Sequence, residues 1–340
     1  MGFLINPYNF AAAGVGGWVE LGRTTLGSAS DTITVSSLAN KRYLMILGNT
    51  YSIGGQIRQM MRLNSDTGNN YSYRGSADGA SDGTSVSRSN MPYTENNENV
   101  GEFSVSYISN YATKEKLSIG HTIGIGTAGA GTAPSRTEHV NKHVQTSNPI
   151  SALNFINPET GDYASGSELV VLGWDPADTH TTNFWTELAS VNATGSSQNL
   201  SSGTITAKKY LWVQTYCKGQ TADVNMIFNN DTGATYARRY SSNGGADLTN
   251  ASQTSLSNMP TNGATTPSLC NFFIINVSAN EKLCFGQVIS QNTAGAGTAP
   301  TRLEWACKWA NTAAQITEID LDSQTTNFSS DSMIKVYGSN

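Results

Sequence analysis

Residues 62–74 read RLNSDTGNNYSYR, and residues 227–239 read IFNNDTGATYARR. Each stretch places Asn residues and an Asp-Thr-Gly triplet between an apolar residue and a tyrosine. Asn and Asp side chains favour turns because they bond to the nearby backbone, and Gly accepts a positive φ. The two stretches therefore predict the same tight hairpin turn, once in each half of the chain.

The chain repeats itself along nearly its whole length, with an offset of 165 to 168 residues. The matching pairs are WVELGRTTL with WTELASVNA, KRYLMIL with KKYLWVQ, EKLSIGH with EKLCFGQ, and TAGAGTAPSR with TAGAGTAPTR. Self-similarity of this kind indicates a duplicated structural unit. We predict an N-terminal arm at 1–17, a first module at 18–175, a linker at 176–183 and a second module at 184–340.

Short apolar runs bounded by Gly, Asn and Asp predict strands, not helices, in both halves. Examples are DTITV, EFSVSYI, KLSIGHTIGI and LVVLGW. Roughly nine or ten strands of five to eight residues fit into each half. Modules of this length suit a jelly roll of two packed sheets with about four strands each, better than an immunoglobulin-like sandwich. The predicted fold class is all-β, with two tandem jelly-roll-like β-sandwich domains related by internal duplication.

The composition excludes several classes of partner. Charged residues make up only 13% of the 340 residues, and the formal net charge is -5. No basic block is present, so we expect no nucleic-acid partner. No apolar run approaches ~20 residues, so we expect no membrane span. The cysteines lie in the second half without CxxC spacing, and we interpret them as small core residues: Cys217, Cys270, Cys284 and Cys307.

Two sharper functions compete with the turn interpretation of the Asp-Thr-Gly triplets. A pepsin-like protease carries one triplet in each lobe and needs two buried aspartates that share a proton. Asp66 and Asp231, however, follow polar Asn-Ser and Asn-Asn pairs. A calcium loop is the other alternative, because Asn64, Asp66 and Asn69 offer oxygen ligands, but the EF-hand spacing is absent. We favour turns and assign no catalytic, metal or cofactor-binding residue.

A second candidate site is the stretch EHVNKH. His139 and His143 lie four residues apart beside Glu138, which on a helix is half of a zinc site. The second half carries Trp305 and Trp309 at the same positions, which indicates packing positions. Three charged residues recur there and predict a shared structural ion pair: Arg136 and Arg302, Glu138 and Glu304, Lys142 and Lys308.

The repeated segment TAGAGTAP is rich in glycine but lacks the lysine of a phosphate-binding loop. We interpret it as a tight loop leading into the next strand. Three tyrosines have non-aromatic counterparts in the other half. We predict that Tyr73, Tyr93 and Tyr111 lie at the surface, where stacking on a sugar ring is the functional alternative to a purely structural role.

A resemblance to a known group rests on RLNSDTGNNYSYR, on TAGAGTAPSRTEHVNKH and on the closing strands GSELVVLG and SSDSMIKVYG. In these segments the chain resembles a loosely defined group of tailed-phage virion proteins. Its members repeat a module with a strand followed by N-x-D-x-G-x-x-Y, and they close on a strand ending in Tyr-Gly or Leu-Gly. The resemblance covers both repeats. It implies a structural role in a head-decoration, fibre or tail protein and brings no catalytic residue.

The residues and the resemblance together lead us to expect a non-enzymatic virion structural protein of a bacterial virus, on the outer surface of the head or tail. The alternatives are a receptor- or glycan-binding tail adhesin and a double-jelly-roll capsid protein. The expected partners are capsid or tail subunits and further copies of the chain, with a trimer favoured. A host surface glycan is the partner of the adhesin alternative. No cofactor is expected.

The arm at residues 1–17 has no counterpart in the second half and no charged side chain. If such a segment were exposed to water, its apolar surface would promote aggregation. We therefore predict that it attaches the protein to a partner surface through its large apolar side chains, namely Phe3, Leu4, Ile5, Tyr8 and Phe10.

Overall fold

The structure is a computed structural model that describes residues 17–179, 181–259, 266–291 and 293–340. Twenty-five β-strands occur in these ranges, and none of the described residues is helical. The described part of the chain accordingly offers no helix with the length and hydropathy of a membrane span. The predicted all-β class is confirmed.

The backbone contacts divide the chain into two compact units. Unit 1 comprises the chain up to Gly126 together with Ser135–Trp185. Unit 2 comprises Thr127–Pro134 together with Thr186–Asn340. The Gly-rich loop of the first sequence repeat is thus part of the second structural unit.

The segment predicted as a linker, residues 176–183, is counted with unit 1. Two contacts inside that unit hold this region of the chain. Lys41 Nζ forms an ion pair with Asp178. The Phe184 N–H donates to Trp18 O at 2.7 Å.

Unit 1 contains thirteen strands in two sheets. They are β1 (Val19–Thr25), β2 (Thr32–Val35), β3 (Tyr43–Ile53), β4 (Met60–Leu63), β5 (Tyr71–Ala77), β6 (Gly83–Arg88), β7 (Met91–Pro92), β8 (Gly101–Ser109), β9 (Lys116–Gly124), β10 (Ser135–His143), β11 (Leu153–Ile156), β12 (Asp162–Tyr163) and β13 (Glu168–Trp174). The large sheet has the order β1-β13-β3-β8-β9-β10-β5-β6, with β12 paired to β3. The small sheet has the order β2-β11-β4-β7.

Unit 2 contains twelve strands in two sheets. They are β14 (Thr186–Asn192), β15 (Asn199–Ser201), β16 (Tyr210–Cys217), β17 (Val224–Phe228), β18 (Tyr236–Ser242), β19 (Leu248–Gln253), β20 (Leu256–Met259), β21 (Ser268–Ile275), β22 (Lys282–Ser290), β23 (Thr301–Trp309), β24 (Ile319–Asp322) and β25 (Met333–Ser339). The large sheet has the order β14-β25-β16-β21-β22-β23-β18-β19, and the small sheet has the order β15-β24-β17-β20.

Apart from β12, the strand order of unit 2 reproduces that of unit 1 in both sheets. The two units are jelly-roll-like β-sandwiches related by duplication, as predicted. The prediction of two sheets with about four strands each was wrong, because each large sheet has at least eight. The sequence undercounts strands because segments such as Met91–Pro92 are too short to show an alternating pattern.

An apolar core fills the space between the two sheets of unit 1. Leu44 and Ile46 of the large sheet and Met61 and Phe155 of the small sheet belong to one fully buried cluster. Gly48 makes room for the aromatic ring, since a Cβ there would lie 2.3 Å from a Phe155 ring carbon. Each fully buried side chain of this size contributes about 2 kcal/mol to folding.

Both units hold one asparagine and one lysine at equivalent interior positions. Asn110 and Asn276 each accept a backbone N–H bond at 2.7 Å and donate to a backbone carbonyl. Lys116 Nζ donates to three backbone carbonyls, and Lys282 Nζ donates to two. Burial lowers the pKa of Lys282 to about 8. We call these four residues the backbone anchors.

The edge strands of both large sheets are irregular. The outermost pairings of unit 1, β1 with β13 and β5 with β6, each contain a register shift. The outermost pairings of unit 2, β14 with β25 and β18 with β19, contain shifts at equivalent places. Such bulges bend a strand and increase its local twist.

Candidate functional site

The Asp-Thr-Gly stretch of unit 1 connects the two sheets. β4 lies in the small sheet and β5 in the large one, so the predicted hairpin is wrong. Asn64 and Ser65 have φ values of 53° and 55°. Two consecutive residues in this left-handed region turn the chain sharply, and Asn229 and Asn230 repeat the turn in unit 2. We call residues 64–71 and 229–236 the corners.

The aspartate of each corner is held by three donors. Asp66 accepts from the Gly68 N–H, from Asn70 Nδ2 and from His143 Nε2, each at 2.8 Å. Burial by itself raises the pKa of Asp66, but these three donors outweigh it and lower the pKa below its usual value. The carboxylate is therefore stabilised in its charged form as the centre of a turn.

Unit 2 reaches the same arrangement with a different ring. Asp231 accepts from the Gly233 N–H at 2.9 Å, from Thr235 Oγ1 at 3.0 Å and from Trp309 Nε1 at 2.8 Å. Its pKa is also lowered, because these hydrogen bonds outweigh the effect of burial. Trp309 is equivalent to His143, so imidazole and indole serve the same purpose as ring N–H donors.

A buried tyrosine closes each corner. In unit 1 the Leu63 N–H donates to Tyr71 Oη at 3.1 Å, and the hydroxyl lies 3.1 Å from Asp66 O. In unit 2 the corresponding hydroxyl, that of Tyr236, makes the same two bonds at 3.0 and 2.9 Å. Burial raises the pKa of Tyr71 to about 12, so the phenol is neutral and can both donate and accept.

These contacts favour the turn interpretation of the triplets over the two alternatives. A protease dyad needs carboxyl groups that face each other, whereas Asp66 and Asp231 each face donors of their own unit. A calcium site needs converging oxygens. The Oδ1 atom of Asn64 instead accepts from the N–H groups of Ser151 and Ala152, at 2.8 and 3.1 Å.

His139 and His143 lie on strand β10 and not on a helix. Residues four apart on a strand are separated by about 13 Å, which is too far for both imidazoles to bind one metal ion. The ring of His139 stacks on Tyr93 with centroids 4.5 Å apart. Burial lowers the pKa of His139 to about 3, so this ring is a neutral packing element.

The predicted shared ion pair is confirmed between the arginine and glutamate of EHVNKH and its counterpart. Arg136 contacts Glu138 in unit 1. Arg302 contacts Glu304 at 3.5 Å in unit 2. The recurring lysines pair elsewhere, with the glutamates of the two EKL segments: Lys142 with Glu115 at 3.6 Å, and Lys308 with Glu281 at 3.8 Å.

The four cysteines are free and buried, which confirms their interpretation as core residues. Cys270, Cys284 and Cys307 sit on strands of the large sheet whose equivalents in unit 1 carry Ser104, Ser118 and Asn141. Cys217 is equivalent to the buried residue Thr50. We call these four pairs of positions the interior layer, which is polar in unit 1 and made of thiols in unit 2.

Buried hydrogen bonds support the polar layer of unit 1. Gln59 joins two of its members, since its Nε2 donates to Thr50 Oγ1 at 2.9 Å and its Oε1 accepts from Ser104 Oγ at 2.6 Å. The Gln59 N–H donates to Glu102 Oε2 at 3.1 Å. Burial, and then the nearby Glu98, raise the pKa of Glu102 well above its usual value. Ser268 is equivalent to this glutamate in unit 2.

A polar cavity of about 450 Å³ opens on unit 2 beside strands β17, β18, β19 and β20. Its lining consists of hydrogen-bonding side chains, namely Asp223, Asn225, Arg238, Gln253, Ser255, Ser257 and Gln324. The guanidinium of Arg238 is fixed by Asn250 Oδ1, which accepts from Nε at 2.9 Å, and by the Tyr240 ring, whose centroid is 4.3 Å away. The cavity is therefore lined by carboxamides, by hydroxyls, and by one carboxylate and one guanidinium of opposite charge.

Sequence reasoning missed this cavity, although the comparison of the repeats contains a signal. Arg238 is equivalent to Tyr73, and Asn225 is equivalent to Met60. Tyr73 and Met60 are both buried. The Tyr73 hydroxyl lies 2.0 Å from the place where a Cβ on Gly75 would be. In unit 2, Arg238 and Asn225 replace the buried side chains of Tyr73 and Met60, and these two polar residues line the cavity.

The structure corrects the predicted surface tyrosines. Tyr73 and Tyr93 are buried, and only Tyr111 of the three is exposed. The Tyr111 hydroxyl lies 3.2 Å from that of Tyr43. The predicted attachment residues lie outside the described residues, and their role stays a prediction: Phe3, Leu4, Ile5, Tyr8 and Phe10.

No family model matches the chain, and no curated protein matches it. Among solved structures, the chain is similar to domains LG4-5 of the mouse laminin alpha1 chain, with 8% identity, a TM-score of 0.20, and coverage of 97% of this chain and 92% of that one. An acyl-CoA hydrolase from Agrobacterium tumefaciens is similar at 6% identity and a TM-score of 0.14, with coverage of 64% and 74%. TM-scores this low do not support a fold assignment, which therefore rests on the strand orders.

Proposed function

We propose that the chain is a non-enzymatic structural protein of a bacteriophage particle, displayed on the capsid or tail. One observation carries the proposal: the polar residues that both units share at the corners and the backbone anchors are bonded to the protein's own backbone and rings. A duplicated scaffold of this kind suits a structural protein, whose function is to bind other proteins and not to catalyse a reaction. The resemblance of the corners, Gly-rich loops and closing strands to phage virion proteins supports the same role.

Particle composition tests this proposal directly. Phage particles are purified from a strain whose phage carries the gene, and the chain is quantified by mass spectrometry against the major capsid protein. We expect a fixed number of copies per particle in independent preparations. Absence of the chain from purified particles, or a copy number that varies between preparations, would contradict a structural role.

Deletion of residues 1–17 tests the attachment arm. We expect the truncated protein to keep its circular dichroism spectrum and to be absent from particles when it is the only copy supplied. Burial of three or four large apolar side chains on a partner contributes several kcal/mol, at about 2 kcal/mol each before the cost of ordering. Full incorporation of the truncated protein would show that the attachment surface lies elsewhere.

A second candidate function, saccharide binding, is favoured by the polar cavity of unit 2. Each sugar hydroxyl both donates and accepts a hydrogen bond. The carboxamides of Asn225, Gln253 and Gln324 likewise offer both a donor and an acceptor. The carboxylate of Asp223 and the guanidinium of Arg238 balance each other in charge, which favours a neutral ligand over an anion.

Saturation-transfer NMR with maltotriose, cellotriose, chitotriose and mannotriose tests this second function. We expect transfer to at least one trisaccharide, and its loss in a protein carrying both Asn225→Ala and Gln324→Ala. Asn192→Ala, at an exposed asparagine on β14, is the matched control and should behave as the wild type. An equal response from the double variant and the wild type, or no transfer to any trisaccharide, would eliminate the cavity as a saccharide site.

A further inference from the structure

The Gly-rich loop Thr127–Pro134 is bound tightly within unit 2. Its backbone atoms meet four polar groups of that unit: Thr127 O with Lys308 Nζ, Gly129 N with Glu281 Oε1, Ala130 O with the Ser252 N–H at 2.7 Å, and Pro134 O with Arg239 Nε at 2.8 Å. All four bonds use the backbone of the loop. Any loop with the same backbone conformation can therefore make them.

The chain contains a second copy of this loop. Residues 293–300 repeat the octapeptide TAGAGTAP without a change. Gly129 and Gly295 have the same φ of 88°. Every residue from 293 to 300 is exposed, whereas Pro134 in the first copy is buried. The second loop thus has the sequence, the glycine conformation and the exposure needed to bind in the same way.

Unit 1 carries the same four groups that hold the first loop in unit 2. Lys142, Glu115, Ser87 and Arg74 are equivalent to Lys308, Glu281, Ser252 and Arg239. The geometry agrees at the serine, whose φ is 52° at Ser87 and 50° at Ser252. Both lysine–glutamate ion pairs are present, as shown above. Among the described residues, the loop Thr127–Pro134 binds this set of groups in unit 2, and no loop binds the equivalent set in unit 1.

These side chains are far more exposed in unit 1 than their equivalents are in unit 2. Lys142 and Glu115 are each 44% exposed, whereas Lys308 is 0% and Glu281 is 7% exposed. Arg74 is 59% exposed, against 20% for Arg239.

Apolar neighbours show the same contrast. Leu117 is 57% exposed, and its equivalent Leu283 is 2% exposed. Val140 is among the exposed large hydrophobic residues, and its equivalent Ala306 is fully buried. Together Arg74, Ser87, Glu115, Leu117, Val140 and Lys142 form what we call the docking surface of unit 1.

We propose that residues 293–300 of one copy of the protein bind the docking surface of a second copy. The occupant is a second copy because, in the described part of the chain, the TAGAGTAP backbone binds the equivalent groups of unit 2, and the chain displays that sequence a second time at residues 293–300. Binding also removes Leu117 and Val140 from water. The loop and the docking surface are different patches, so the association is head-to-tail and closes into a ring when the rotation allows it. This proposal is independent of the virion role.

Analytical ultracentrifugation of the purified full-length protein tests the proposal with one variant on each side of the contact. Val140→Glu places a charge on the docking surface, and Ala296→Arg places a bulky cation in the loop. Both residues are exposed, so the melting temperature should not change. Leu248→Glu, at an exposed leucine on β19, is the matched control. We expect the wild type and the control to sediment as the same oligomer at about 100 µM, and each variant to weaken association by about 100-fold or more.

A mixture of the two variants identifies the head-to-tail arrangement. Val140→Glu keeps an intact loop, and Ala296→Arg keeps an intact docking surface. One productive contact remains between unlike partners, so the mixture should form a 1:1 dimer and nothing larger. A monomeric wild type, variants that associate as the wild type does, or a mixture that stays monomeric would each overturn the proposal. Because only purified protein is used, such a failure leaves the particle-composition test untouched.

Discussion

The two units share one strand order but bury different chemistry between their sheets. Unit 1 fills the interior layer with polar side chains, two of which bond to Gln59, and stacks His139 on Tyr93. Unit 2 fills it with four thiols and packs Trp305 against Phe272, with ring centroids 5.3 Å apart. The turn, the aspartate and the tyrosine of each corner recur in both units, as do the backbone anchors.

This difference shows which residues define the architecture. The corner aspartates, the corner tyrosines and the anchors bond to backbone groups, and backbone groups occupy equivalent places in both units. In the interior layer, Thr50 and Ser104 instead bond to the side chain of Gln59, and interacting side chains can change together. A jelly-roll-like sandwich therefore tolerates in this layer either buried polar side chains or thiols with aromatic packing.

The largest effect is expected when the histidine of unit 1 is placed at the equivalent position of unit 2. Trp305 is equivalent to His139. Trp305→His leaves a cavity in the thiol-lined core and buries a polar ring without the tyrosine that stacks on His139 in unit 1. We expect a loss of about 3 kcal/mol in the free energy of unfolding of unit 2, measured by urea denaturation followed by tryptophan fluorescence. A loss below about 1 kcal/mol would mean that the two interiors are interchangeable residue by residue.

A smaller effect is expected when the facing cysteines of β22 and β23 are converted to the residues of unit 1. Cys284→Ser and Cys307→Asn should each cost about 2 kcal/mol, because each buries a polar group among apolar side chains. The two costs should add, because the equivalent side chains of unit 1, Ser118 and Asn141, face each other while Ser118 Oγ and Asn141 Oδ1 make no hydrogen bond to any described residue. A double-mutant cycle in urea measures the coupling, and a double variant that costs about 1 kcal/mol less than the sum would show that the pair bonds in unit 2.

The corner aspartates should respond alike in both units. At neutral pH we expect Asp66→Asn and Asp231→Asn to cost about 1 kcal/mol each, the scale of a lost turn or cap bond. Both carboxyls have a pKa below the usual 3.8 in the folded protein. Their contribution is therefore complete above that value and is lost as the pH falls through the folded pKa.

Chemical denaturation from pH 7 down to about pH 2 checks this prediction. The difference between each variant and the wild type should shrink toward zero over the acidic end of the range. A cost that is independent of pH would mean that the carboxylate charge does not contribute. A larger effect in unit 1 alone would reveal a separate role for the ring of His143.

The smallest effect is expected at Glu102, which has no titrating equivalent in unit 2. Its pKa is raised in the folded state by burial and by Glu98. Its contribution to stability is present in full below the unfolded value near 4.5 and is lost as the pH rises toward the folded pKa. Glu102→Gln should thus stabilise unit 1 slightly at neutral pH and not at pH 4, as read from melting temperatures. Equal stabilisation at both values would exclude proton linkage as the cause.

The repeat made much of the architecture predictable, because equivalence between the halves follows from sequence alone. The corners were found, but not the sheets that they connect, since turn residues do not specify which strands will pair. The interior layer was not predictable for a physical reason. In EFSVSYI the serines point inward and bond to Gln59 and Tyr93. An alternating strand pattern cannot reveal this, because the partners of a buried polar side chain are distant in sequence.

The register shifts in the edge strands limit how copies of this protein can pack at high concentration. A straight edge strand presents a regular row of N–H and C=O groups and invites strand-by-strand growth of the sheet into amyloid-like aggregates. All four outermost pairings of the large sheets carry an interruption of that row. The bulges therefore disfavour β-strand pairing between molecules at each edge of the large sheets. Ordered contacts between closely packed copies must instead form through side chains and loops.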